Sequence, residues 1–132
     1  MIFSIVVYAT PYSSQAASTA LQYCEELISQ EHQIHRVFFY GDGVQAASAL
    51  SCPQQDEIQL HNRWQQLAEQ HDLDLVVCIA AAAKRGVIDQ NEAKRYGRVN
   101  NSLGDRFTLS GLGQLVEAGI VSDRVVTFGE SR

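Results

Sequence analysis

The chain has 132 residues, 45% of them hydrophobic, and a formal net charge of −5. That is the size of one ordinary domain, with enough apolar material for a core that needs neither disulfide nor metal. The acidic balance speaks against a surface that grips nucleic acid directly, since phosphate binding needs clustered Lys and Arg.

One domain over residues 1–132 is the working organisation, with no repeat, low-complexity tract or linker. The apolar start, Ile2 to Val7, lacks a basic leader and a small-residue cleavage site and is too short to span a bilayer. It reads as the end of no signal but the beginning of a first strand, Ile2 to Tyr8. Ala16, Ala17, Ala20, Leu21, Cys24, Leu27 and Ile28 then repeat at helical spacing, with Ser13 or Ser14 as cap. A second strand, Ile34 to Tyr40, completes a β-α-β unit.

Tyr40-Gly41-Asp42-Gly43 is a tight glycine turn. From Gln55 to Gln70 a less regular apolar face, Ile58, Leu60, Trp64, Leu67 and Ala68, leads to a third strand at Leu73 to Ile79. Asp89 with Glu92 makes a capping box for a short helix that Gly97 ends. Tyr96 to Arg106 has little periodicity and reads as the mobile loop. Ser110 is expected to cap a helix carrying Leu112, Leu115 and Val116, and Arg124 to Phe128 is the last strand.

Strands alternating with helices predict an α/β fold, flavodoxin-like in outline. Three layers are expected: a mostly parallel sheet of four or five strands with helices on both faces. Reactive groups in such sheets collect at the carboxyl ends of strands. The first end, Ala9 to Gln15, has hydroxyls but no glycine, and Pro11 removes a backbone donor, so a turn and helix cap is preferred there over a flavin phosphate loop. The first strand also lacks the acidic pair a phospho-accepting receiver domain uses to hold magnesium.

The third end carries Cys78, where a buried strand runs into Ile79-Ala80-Ala81-Ala82-Ala83-Lys84-Arg85-Gly86. A thiol at a helix start has a stabilised thiolate, the form that acts as nucleophile, and Lys84 or Arg85 would add positive potential if the segment folds back. From position alone, a buried structural cysteine is an equally good reading. Cys24 lies on an apolar helix face and reads as core, while Cys52 precedes Pro53 in an exposed loop. Three cysteines at such spacings form neither a disulfide framework nor a Cys-x-x-Cys motif, and fit a reducing cytoplasm. His32, His35, His61 and His71 have no metal spacing and are expected to be solvated; neither a nucleophile elbow nor a Walker loop is present.

Ordered segments along nearly the whole chain resemble the TusD/DsrE family of sulfur-relay proteins. They include Val37-Phe38-Phe39-Tyr40 with Gly43-Val44, Trp64-Gln65-Gln66-Leu67, and Val77-Cys78-Ile79-Ala80-Ala81-Ala82. They continue through Arg85-Gly86-Val87-Ile88-Asp89 with Glu92-Ala93, Phe107-Thr108-Leu109-Ser110-Gly111-Leu112-Gly113-Gln114-Leu115, and Asp123-Arg124-Val125-Val126 with Phe128. Cys24, Cys52 and the tail Gly129 to Arg132 match no part of that pattern.

The resemblance implies a sulfurtransferase subunit that carries persulfide sulfur on Cys78 and needs no metal or organic cofactor. It implies TusB- and TusC-like subunits in a heterohexamer, a TusA-like donor and a TusE-like acceptor, the sulfur ending in 2-thiouridine at a tRNA wobble position. The alternatives are a DsrE-like subunit, with DsrF- and DsrH-like partners and a DsrC-like acceptor in sulfur oxidation, and a non-catalytic assembly module in which Cys78 is structural.

Overall fold

A computed structural model describes residues 1–129; the remaining tail, residues 130–132, lies outside the described residues. Five parallel strands form one sheet: β1 (Ile2–Val7), β2 (Gln33–Phe39), β3 (Leu75–Cys78), β4 (Phe107–Ser110) and β5 (Arg124–Phe128), in the order β4-β3-β2-β1-β5. Helix α1 (Gln15–Ser29) joins β1 to β2, a 3₁₀ segment (Gly41–Ala47) and α2 (Leu60–His71) join β2 to β3, α3 (Ile79–Lys84) and α4 (Gln90–Arg95) join β3 to β4, and α5 (Gly113–Val121) returns to β5.

The chain steps across the sheet in one direction from β1 to β4 and reverses once. Right-handed crossovers therefore place α5 on the face opposite α1 and α2. Strand alternation shows the same division. Ile5, Val37 and Val77 join the core beneath α1 and α2, where Phe39 meets Trp64 edge-on at 5.3 Å and Phe107 at 5.5 Å. Each such buried aromatic stabilises the fold by on the order of 3 kcal/mol. On the other face the Ser4 hydroxyl meets that of Ser122, just past α5, at 2.6 Å. Arg36 reaches from β2 to the Gln114 carbonyl of α5 (2.9 Å) and to Asp74 (2.8 Å).

The expected three-layer fold with helices on both faces is present, and two of the predicted N-caps act as expected. Ser14 Oγ accepts from Ala16 N, and Asp89 Oδ1 accepts from Glu92 N. Two expectations about caps and loops fail. Ser110 does not cap α5: it is the last residue of β4, held extended opposite Cys78, and Leu112 is the N-cap residue before the helix starts at Gly113. The segment expected to be mobile is tied down over its second half. Leu103 N donates to Ile88 O, Gly104 N to Ala47 O and Arg106 N to Gln65 Oε1, while Ser102 Oγ donates to Gly86 O at 2.6 Å.

Candidate functional site

Cys78 ends β3, a strand buried along its whole length between β2 and β4. Its backbone is still extended (φ −62°, ψ 115°), yet it is already the N-cap residue of α3, so the thiol stands at the junction where the pairing ladder stops and the helix begins. Its side chain makes no capping hydrogen bond and is 3% exposed, and the residue across the ladder is Ser110. Val76 and Val77 explain the geometry: β-branched residues keep the strand extended toward its end, and four alanines after Ile79 favour the helix that follows.

The 3₁₀ segment packs against both β3 and α3, beside this junction. Gly41 has φ +55°, the left-handed conformation that the turn out of β2 requires. Gly43 is needed for a different reason. A Cβ there would collide with the Val7 carbonyl oxygen and stand 2.8 Å from Tyr8 Cα, so only glycine lets this segment lie against the end of β1. The glycine turn is thus backbone geometry, as preferred from the sequence.

Arg85 does not turn toward Cys78. Its Nε donates to Asp42 Oδ1 at 2.8 Å and its guanidinium also donates to the Ala81 carbonyl at 2.9 Å, which clamps the end of α3 to the start of the 3₁₀ segment. A guanidinium so paired adds little field at a distant thiol. Lys84 lies six residues on, about 9 Å along the helix axis, and is exposed at the rim of a cavity of about 540 Å³ shared with Tyr96 and Arg98. Of the two causes of activation read from the sequence, only the helix start touches Cys78, and α3 is short, at six residues.

The other thiols stand apart. Cys24 is fully buried on α1, and burial, with Glu25 beside it, pushes its thiol up to about 12. It is core, as the helical spacing indicated. Because the unfolded thiol ionises near 9 while the folded one stays protonated, its contribution to stability is complete below pH 9 and lost as pH rises toward 12. Unfolding free energy is expected to fall by up to about 1.4 kcal/mol per pH unit through that window from this group alone. Comparing urea midpoints of wild type and Cys24→Ala at pH 8 and pH 10.5 checks it: the variant should lose less stability between the two. Cys52 is exposed, its Sγ donating to the Leu50 carbonyl at 3.3 Å.

The histidines divide. His61, expected to be solvated, is buried: its Nδ1–H donates to the Ala46 carbonyl at 2.9 Å and its ring stacks on Phe107 at 5.4 Å. Gly104 makes room for it, since a Cβ there would strike the imidazole. The signal was its place one turn before Trp64, on the buried face of α2. His35 is the extra residue at a register shift between β1 and β2, and its Nε2 is buried 3.4 Å from Glu117. His32 is half-buried and His71 exposed. Among the described residues no group of His, Cys, Asp or Glu is placed to hold a metal ion, and no helix is long and apolar enough to cross a membrane.

Cys78 is thus a buried thiol at the carboxyl end of a parallel sheet, and the nearest arginine in sequence, Arg85, is spent on Asp42. The model of the DsrE/DsrF-like family matches residues 1–128 of this sequence. The chain belongs to the DsrE/DsrF-like family. It is 46% identical over 130 residues to a protein of Allochromatium vinosum named "Putative sulfurtransferase DsrE", a match covering 98% of this chain and 100% of that protein. Among solved structures it is similar to the ychN protein from E. coli, with a TM-score of 0.78 and 20% identity over 97% of this chain and 99% of that one. That second likeness is one of fold. Within the family fold, the candidate site is Cys78 with Ser110 across the ladder and the Gly41–Ala47 segment beside it.

Proposed function

We propose that this chain is a sulfur-relay sulfurtransferase subunit that carries sulfur as a persulfide on Cys78. The observation that carries the reading is the placement of this thiol as the last strand residue and the N-cap of a helix, in a chain 46% identical over 98% of its length to the protein named "Putative sulfurtransferase DsrE". The Cys78 thiolate attacks the outer sulfur of a donor persulfide. The donor's S–S bond breaks, its inner sulfur leaves as a thiolate, and Cys78 becomes Cys78–S–SH. An acceptor thiolate then attacks that outer sulfur and Cys78 leaves as thiolate. One neutral sulfur atom moves at each step, so no oxidant, reductant or metal takes part.

The proposed setting is cytoplasmic, in a heterohexamer with TusB- and TusC-like, or DsrF- and DsrH-like, subunits. Sulfur arrives from a TusA-like donor and leaves to a TusE- or DsrC-like acceptor, without direct contact to nucleic acid. The two destinations, 2-thiouridine at the tRNA wobble position and sulfur oxidation, use the same step at Cys78 and part only at the acceptor. Incubation with a persulfide donor is expected to add about 32 Da, one sulfur, to the Cys78 peptide by mass spectrometry. Offering the loaded protein both acceptor types and reading which one gains the sulfur decides the destination; a protein that loads no sulfur, or loads only Cys52, refutes the relay.

A further inference from the structure

Cys78 and Ser110 are register partners on adjacent parallel strands, so their side chains leave the same face of the sheet from backbones about 4.8 Å apart. Among the described residues neither the thiol nor the Ser110 hydroxyl has a hydrogen-bond partner. Each group turns about a single bond, and staggered positions of the two include ones that bring oxygen and sulfur into hydrogen-bond reach. Strand β4 is also the edge of the sheet, and Thr108, two residues earlier on the same face, is exposed. Half-buried Ser110 therefore stands between the 3% exposed thiol and solvent on that side.

A buried thiolate has little water around it, and the protein must supply donors in its place. Charged groups on the neighbouring elements do not fill that need. Asp42 and Arg85 hold each other at 2.8 Å, Lys84 lies about 9 Å along α3, and Glu117 of α5 is paired with His35 and Arg36. Tyr40, at the end of β2, is exposed. Helix α3 has only six residues and so offers a weak dipole. The group left on the thiol's own face is a neutral hydroxyl with its donor free.

We infer that Ser110 is a second catalytic residue, whose hydroxyl donates to Cys78 Sγ whenever that sulfur is a thiolate. Its part in transfer rests on the relay proposed above; the contact itself does not. As Cys78 attacks a donor persulfide, its electron pair forms the new S–S bond, the charge departs with the donor's inner sulfur, and the hydrogen bond weakens. As an acceptor thiolate takes the outer sulfur, the Cys78 S–S bond breaks and its electron pair returns to Sγ. The hydroxyl then donates to that sulfur again. Ser110 keeps its proton throughout, so it stabilises charge at one atom without acting as acid or base.

The test is the pH profile of iodoacetamide alkylation at the Cys78 peptide, read by mass spectrometry in a Cys52→Ser background. Ser110→Ala should move the half-maximal pH up by about one unit and slow alkylation about tenfold at neutral pH, with the same plateau rate at high pH. Ser110→Thr, which keeps the hydroxyl, should hold the midpoint of the parent chain. Looser packing alone would instead raise the rate at every pH and leave the midpoint in place. Sulfur loading from a persulfide donor should fall about tenfold in Ser110→Ala at neutral pH and recover as pH rises. An unmoved midpoint in Ser110→Ala, or a Ser110→Thr midpoint that moves as far as that of Ser110→Ala, overturns the inference while the relay stands on wild-type loading. A wild type that takes up no sulfur refutes the relay, and the alkylation midpoint then decides the contact by itself.

Discussion

Cys78→Ser is expected to take up no sulfur from a persulfide donor and to slow transfer at least about a thousandfold, because a serine hydroxyl is not ionised near neutral pH and forms no persulfide. The fold should survive. The exchange nearly conserves volume, and although the site is 3% exposed, its cost should stay near 1 kcal/mol. A circular-dichroism melt alongside the mass measurement separates lost chemistry from lost structure. Cys52→Ser should load as wild type, since that thiol sits on a separate loop bonded to the Leu50 carbonyl. Cys24→Ala should also load, because the Cys24 thiol stays protonated near neutral pH in the core. Loading that survives in Cys78→Ser and disappears in Cys52→Ser would move the relay to the other thiol.

The second large effect is expected at Gly43. A methyl group there meets the Val7 carbonyl and Tyr8 Cα, backbone of an interior strand that cannot rotate away. Gly43→Ala should therefore destabilise the protein by about 3 kcal/mol, the upper part of the range for overpacking. Gly86→Ala is the control: its φ is +75° but nothing lies within 4 Å, so it should cost only the left-handed backbone strain, about 1 kcal/mol. Urea midpoints of the two variants measure the difference, and equal losses would remove the close-approach argument. The same substitution displaces the segment that holds Asp42 against Arg85, so alkylation of Cys78 should speed up in Gly43→Ala and not in Gly86→Ala.

Much of this arrangement is legible in local pattern. The runs Ile2 to Val7 and Arg124 to Phe128 are strands because β-branched residues crowd them, and Ser14 and Asp89 cap helices because a short side-chain oxygen there reaches a free backbone N–H. Cys78 could be placed at a strand end for the same reason. Strand β4 is harder to see: four residues, Phe-Thr-Leu-Ser, give two periods of alternation and no more, and each of its pairs with β3 joins residues 32 apart in the chain. His61 looked polar, but a carbonyl fifteen residues away and a phenylalanine from another element make its burial affordable.

The sequence by itself determined the kind of molecule this is. Alternating strand and helix periods, an odd set of cysteines and family motifs in order carry the α/β fold, the family and the thiol worth testing. Those properties follow from side-chain pattern along a few residues at a time. Only the tertiary structure decided that Arg85 belongs to Asp42 and not to Cys78, that Ser110 lies beside the thiol across a ladder, and that α5 turns Leu112, Val116 and Ile120 outward. Each of these depends on which distant residue arrives beside it, and a one-dimensional pattern does not specify that arrival.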